Sequence, residues 1–185
     1  MSNPRIIGGS ARGIRLDMVP GKITRPITDR VKESLFNIIG SDIKASRILD
    51  LFGGTGSVGI EALSRGADFA RFLDLSSLAV AVIRKNLIKT KLTEKAEVHC
   101  MNALTYLSSN QNDGFDYVYI APPQYKNIWM QTLGLLETHQ YHLNSDGWVI
   151  VQIDPVEYSP PKLASLQLFD QRTYGSTLLL FYIYK

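Results

Sequence analysis

The stretch Arg47-Ile48-Leu49-Asp50-Leu51-Phe52-Gly53-Gly54-Thr55-Gly56-Ser57-Val58-Gly59 decides the fold. Its first five residues read as a short apolar strand, and a glycine-rich turn follows. An apolar pattern through Ile60, Ala62 and Leu63 then reads as a helix that stops near Gly66. Gly54, Gly56 and Gly59 satisfy G-x-G-x-x-G, with Asp74 at the end of the next strand, Ala70–Asp74. That turn lets a ligand approach the backbone closely at a helix start, and it serves dinucleotides and S-adenosylmethionine alike. Asp50 favours the second. A pyrophosphate over the turn would meet its carboxylate in a poorly screened site, whereas S-adenosylmethionine brings a sulfonium and an ammonium.

Outward from this turn the pattern alternates. Thr28 or Asp29 caps a helix to about Ile39, with Val31, Leu35, Ile38 and Ile39 on its buried face and Arg30, Lys32 and Glu33 opposite. Ser76 caps a helix with Ala79, Val82, Ile83 and Leu87 inward. Strands are expected at Ala96–Cys100, Phe115–Ile120 and Gly147–Ile153, with helices near 103–108 and 127–138. Two last strands, about 166–171 and 177–184, read as an antiparallel hairpin. Repeated β-α units with apolar strands predict an α/β, mostly parallel sheet covered on both faces. Residues 1–28 read as a small hairpin (Arg5-Ile6-Ile7 against Ile14-Arg15-Leu16) and an extended loop. The expected division is a basic extension over 1–40 and a cofactor-binding domain over 41–185. His99 and Cys100 are expected to be packing residues, and His139 and His142 incidental.

The 185 residues carry 20 Lys plus Arg and 17 Asp plus Glu, a net +3, and are 45% hydrophobic. This excludes a disordered or fibrous chain. The charge is unevenly placed. Up to residue 47 there are nine basic groups (Arg5, Arg12, Arg15, Lys22, Arg25, Arg30, Lys32, Lys44, Arg47) and four acidic ones (Asp17, Asp29, Glu33, Asp42), a local +5 beside a body of −2. Such a segment suits a polyanion or is simply a solvated basic surface. No apolar run approaches the roughly 20 residues of a membrane helix, and no secretory signal opens the chain. A single cysteine suits a reducing, cytoplasmic compartment, and three histidines at these spacings predict no metal site.

The fourth strand runs into Ala121-Pro122-Pro123-Gln124-Tyr125. Paired prolines end the ladder and stiffen a loop at the sheet's carboxyl edge, where ligands bind in such folds. This loop resembles the (D/N)-P-P-(Y/F) motif of methyltransferases that modify exocyclic or amide nitrogens. Nearly the whole chain resembles the RsmD-type family, which methylates a guanine N2 in bacterial 16S ribosomal RNA. The resemblance runs through Arg5-Ile6-Ile7-Gly8-Gly9, Arg12-Gly13, Thr24-Arg25-Pro26, and Thr28-Asp29-Arg30-Val31-Lys32-Glu33-Ser34-Leu35-Phe36-Asn37. It continues through Leu49-Asp50-Leu51-Phe52, Glu61-Ala62-Leu63-Ser64-Arg65-Gly66-Ala67 and Tyr174-Gly175.

The resemblance implies a Rossmann-like class I methyltransferase fold with seven strands. It implies S-adenosyl-L-methionine held by Asp50, Phe52, Gly53, Gly54, Gly56, Asp74, Leu75, Asn102 and Ala103. The target amine would be oriented by Ala121, Pro122, Pro123, Gln124 and Tyr125, with Tyr125 or Trp129 stacking on the base. Arg5, Arg12, Arg15, Arg25, Arg30 and Lys32 would contact RNA phosphates of 16S rRNA or an assembling small subunit, for which a monomer suffices. Two departures stand out: Asp74 where Glu is usual, and Ala121 where Asp or Asn is usual, with Gln124 in the aromatic position. Ala121 keeps open the alternative of an RNA-binding member that retains the cofactor pocket with weakened or lost catalysis. A nicotinamide dehydrogenase and a small-molecule or protein-amide methyltransferase are less favoured alternatives.

Overall fold

The computed structural model describes residues 3–21, 27–109, 114–124 and 127–185. Seven strands, β1 (Arg47–Asp50), β2 (Phe69–Asp74), β3 (Ala96–Cys100), β4 (Phe115–Ile120), β5 (Leu143–Ile153), β6 (Leu166–Tyr174) and β7 (Thr177–Tyr184), form one sheet in the order β3-β2-β1-β4-β5-β7-β6. β1 to β5 pair in parallel. β7 runs antiparallel between β5 and β6. The expected parallel sheet and closing hairpin are both present. β5 starts earlier than its Gly147 implied, because a register shift between Phe115 and Tyr117 lets Leu143 pair with Phe115 before Trp148 pairs with Tyr117.

Among the described residues five α-helices cover the two faces: α1 (Asp29–Ile39), α2 (Ser57–Ser64), α3 (Ser77–Thr90), α4 (Ala103–Leu107) and α5 (Ile128–Thr138). Period-2 alternation sorts the strand side chains. Ile48, Tyr117, Tyr119, Ile150 and Phe181 join the apolar residues of α1, α2 and α3 in one cluster. Leu49, Val118, Val149, Val151 and Leu180 join those of α4 and α5 in the other. His99 and Cys100, expected to pack, are exposed, because β3 is the outer strand of the sheet and its side chains are mostly uncovered.

The N-terminal hairpin is reduced to one antiparallel bridge, Arg5 to Arg15, supported by backbone bonds Ile6 N to Ile14 O (2.9 Å) and Leu16 N to Pro4 O (2.7 Å). Ile6, Ala11 and Leu16 are buried in the cluster of α1 to α3. The segment is fastened by Glu61 of α2, whose carboxylate is fully buried. It accepts Ile7 N and Gly8 N at 2.8 Å each and Arg65 Nε at 2.8 Å, and it lies 3.4 Å from Lys32 Nζ. Ser64, one turn on, donates to Gly8 O and accepts Ala11 N.

Lys32 corrects the expected solvent face of α1. It is fully buried, and its ammonium donates to Arg5 O (2.6 Å) and Ser57 Oγ (2.9 Å). Burial, with a smaller push from the Arg65 charge, moves its pKa down; Glu61 and Asp29 oppose that shift. A buried cation persists only with such partners. Glu61→Ala strands the ammonium and several backbone donors, so it is expected to cost about 3–5 kcal/mol. In a chain of this size that lowers the melting temperature by roughly 10 °C. Thermal unfolding measures it, and an unchanged melting temperature would contradict this account of the anchor.

Candidate active site

In this strand order the direction of winding reverses between β1 and β4, which opens a crevice at their carboxyl ends. The glycine turn lies over it. Gly53 N donates to Leu73 O (2.8 Å) and Gly56 N to Gly53 O (2.7 Å). Gly54 and Gly56 have φ of 55° and 77°, the left-handed region that favours glycine. The third glycine serves packing instead. A Cβ on Gly59 would lie 2.3 Å from Phe72 Cε1, so Gly59 lets α2 lie against β2.

Asp74 closes the turn from β2. Its Oδ2 accepts Gly54 N (2.9 Å) and its Oδ1 accepts Ser76 N (2.8 Å). Each carboxylate oxygen therefore keeps acceptor capacity toward the crevice rim. Leu75 beside it is 72% exposed. Asn102 caps α4, its Oδ1 accepting Leu104 N (2.8 Å) and Thr105 N (3.3 Å). Ala103 next to it is buried, and Phe52 is half-buried against the α4–α5 cluster.

Asp50, at the end of β1, is 2% exposed. Its Oδ1 has no partner among the described residues. Burial, only partly opposed by the nearby backbone N–H groups of Phe52 and Gly59 and reinforced by Asp74, pushes its pKa up to about 7. Beyond β4, Ala121 and Pro122 are half-buried and Pro123 and Gln124 exposed; Tyr125 lies outside the described residues. Trp129, offered as a stacking residue, is fully buried in α5 and stacks on Tyr158 instead. A pair that the sequence alone does not reveal is Tyr119 and Gln152, in which the Tyr119 hydroxyl donates to Gln152 Oε1. Its only sequence signal is a lone amide in the apolar run Val149-Ile150-Val151-Gln152-Ile153.

The basic segment is selective in what it exposes. Arg12, Arg15 and Arg30 are exposed and make no ion pair among the described residues. Arg5 is exposed but pairs with Asp29 at 2.6 Å. Arg25 lies outside the described residues. Lys32, enclosed as described above, cannot reach a phosphate, so that expected contact is withdrawn. No helix among the described residues is long and apolar enough to cross a membrane.

A seven-stranded sheet in this order, with a glycine turn between β1 and α2 and an acid ending β2, defines a Rossmann-like methyltransferase domain. A family model described as "Conserved hypothetical protein 95" matches residues 4–183, and the chain belongs to that family, the RsmD-type methyltransferases. It is 36% identical over 180 residues to "Putative rRNA methyltransferase YlbH" of Bacillus subtilis, covering 96% of this chain and 97% of that protein. It is 31% identical over 178 residues to "Ribosomal RNA small subunit methyltransferase D" of Escherichia coli, covering 96% of this chain and 88% of that one. The solved structure titled "Putative methyltransferase yhhF from Escherichia coli" superposes with a TM-score of 0.88 at 31% identity, over 98% of this chain and 97% of that chain.

The raised Asp50 makes stability pH-dependent. The folded chain holds this proton up to about pH 7, whereas the unfolded chain releases it near 3.8. Between those values the folded state binds more protons, so its stability falls as pH rises, by on the order of 4 kcal/mol from this group. Asp50→Asn should flatten that slope in denaturant midpoints measured from pH 4 to pH 8. An equal slope in both proteins would show that Asp50 is not the group responsible.

Proposed function

We propose that the protein transfers a methyl group from S-adenosylmethionine to the exocyclic N2 of a guanine in small-subunit ribosomal RNA. The observation that carries the cofactor reading is Asp50 Oδ1, a buried acceptor at the crevice without a partner among the described residues. An ammonium placed there would satisfy it and draw its pKa down. Asp74 would take ribose hydroxyls with its remaining lone pairs, the backbone of Gly53, Gly54 and Gly56 would lie along the ligand, and Phe52 and Leu75 would add apolar contact. Asn102, already capping α4, keeps its side-chain amine for an adenine edge beside Ala103. The cofactor supplies an activated methyl group; the chain supplies position.

The ribosomal RNA substrate is supported by the names of the relatives and by the exposed Arg12, Arg15 and Arg30. Such contacts position a strand without reading it. The backbone carbonyls of Ala121 and Pro122, stiffened by Pro123, would face the target amine, with Gln124 at its rim.

Incubation with labelled S-adenosylmethionine and unmodified small-subunit particles should place label on one guanine N2. Cofactor binding without any transfer would overturn the enzymatic reading and leave the binding-only alternative. S-adenosylhomocysteine affinity, measured by calorimetry, should rise with pH through about 7 as Asp50 ionises, and Asp50→Asn should weaken it and remove the pH dependence. Arg12→Ala and Arg15→Ala should each weaken RNA binding and lower the salt slope by somewhat under one unit.

A further inference from the structure

We infer that Gln152, on β5, is the side-chain acceptor for the target guanine amine, a role that rests on the guanine reading above. The register places it. Ile120 of β4 pairs with Val151 of β5, so the next residues, Ala121 and Gln152, stand side by side at the carboxyl edge, about 5 Å apart across the strands. Tyr119 and Ala121 belong to the same face, both packing into the cluster of α1 to α3. On that face the small side chain of Ala121 leaves the space beside the Pro-Pro loop to its neighbour.

The Gln152 amide is held in one orientation. Tyr119 is 3% exposed, and its hydroxyl donates to Gln152 Oε1 at 2.5 Å. Burial, with Asp50 nearby, keeps that phenol protonated and therefore a donor. Gln152 itself is half-buried, and its Nε2 has no hydrogen-bond partner among the described residues. A carbonyl oxygen has a second lone pair. The amide thus presents one acceptor and two donor hydrogens at the crevice mouth.

Guanine offers the complement: an N2–H donor beside the N3 acceptor, a pair that adenine lacks. Oε1 accepts one N2–H while Nε2 donates to N3. This points the nitrogen lone pair out of the hydrogen-bond plane, toward the glycine turn. Attack forms the N–C bond and breaks the C–S bond, whose electron pair goes to sulfur. The nitrogen then releases one proton to water. Gln152 changes no bond and sets orientation and base choice.

Gln152→Met is expected to lower the single-turnover rate about ten- to a hundredfold, with S-adenosylhomocysteine affinity and particle affinity unchanged. Gln152→Glu, which still accepts from both Tyr119 and the amine but loses the donor to N3, should retain more of the rate than Gln152→Met. Ala121→Asn should restore at least tenfold to Gln152→Met, since it returns an amide from the adjacent strand. An undiminished rate in Gln152→Met, or no gain from Ala121→Asn in a folded double variant, would overturn the role. A second readout needs no turnover. With S-adenosylhomocysteine present, the Gln152 side-chain amide signals, identified by their loss in Gln152→Met, should shift with guanosine monophosphate. They should shift less with inosine monophosphate, which keeps N3 but lacks the amine; equal responses, including none to either, count against the inference. If wild-type protein labels no particle, the substrate reading fails, and the nucleotide comparison still decides Gln152 on its own.

Discussion

The buried carboxylate of Glu61 organises everything on its side of the sheet. It draws two backbone amides of the N-terminal segment, the guanidinium of Arg65 and the ammonium of Lys32 onto one point inside an otherwise apolar cluster. A charge at such a place is tolerable only when nearly every lone pair is used. Lys32 extends the set to Ser57, the first residue of α2 after the glycine turn. The basic segment and the turn are therefore neighbours in one hydrogen-bonded unit. Small displacements of either are resisted by the desolvation cost of separating its charges.

Opposite in character is the carboxyl edge, where polar groups are left under-satisfied. Asp74 spends half its capacity shaping the turn, and Asp50 keeps one oxygen idle in a dry setting. Tyr119 and Gln152 bond each other and leave an amide nitrogen over. Satisfied polarity holds the scaffold, and spare polarity waits at the crevice, in line with the clustering of perturbed groups at functional sites.

Much of this was legible in the chain. The sheet and its closing hairpin follow from apolar runs and turn residues, and the glycine turn from its spacing. The position of Asp50 fixed its environment as soon as β1 was recognised. What escaped depends on partners distant in sequence. Lys32 looks like one more exposed helix cation until Ser57 and Glu61 are folded against it. Gly59 fits a ligand motif, but the atom that forbids a side chain there is Phe72, from the next strand. His99 and Cys100 sit in a strand whose outer position only the sheet order reveals. Gln152 is one polar letter in an apolar run, and Trp129 gave no sign of choosing the core. Pairing and layer order are tertiary facts, and hydrophobic periodicity does not encode them.

The clasp on the N-terminal segment also fixes an order of events during synthesis. Ile7 and Gly8 leave the ribosome first, yet the carboxylate that binds them belongs to Glu61, more than fifty residues later. Such distant contacts must wait for the intervening chain and for the closure of the loop it forms. The basic N-terminal segment of a nascent copy thus stays unformed until the glycine turn and α2 have emerged. A newborn chain therefore completes its first structured segment only together with the turn it is fastened beside.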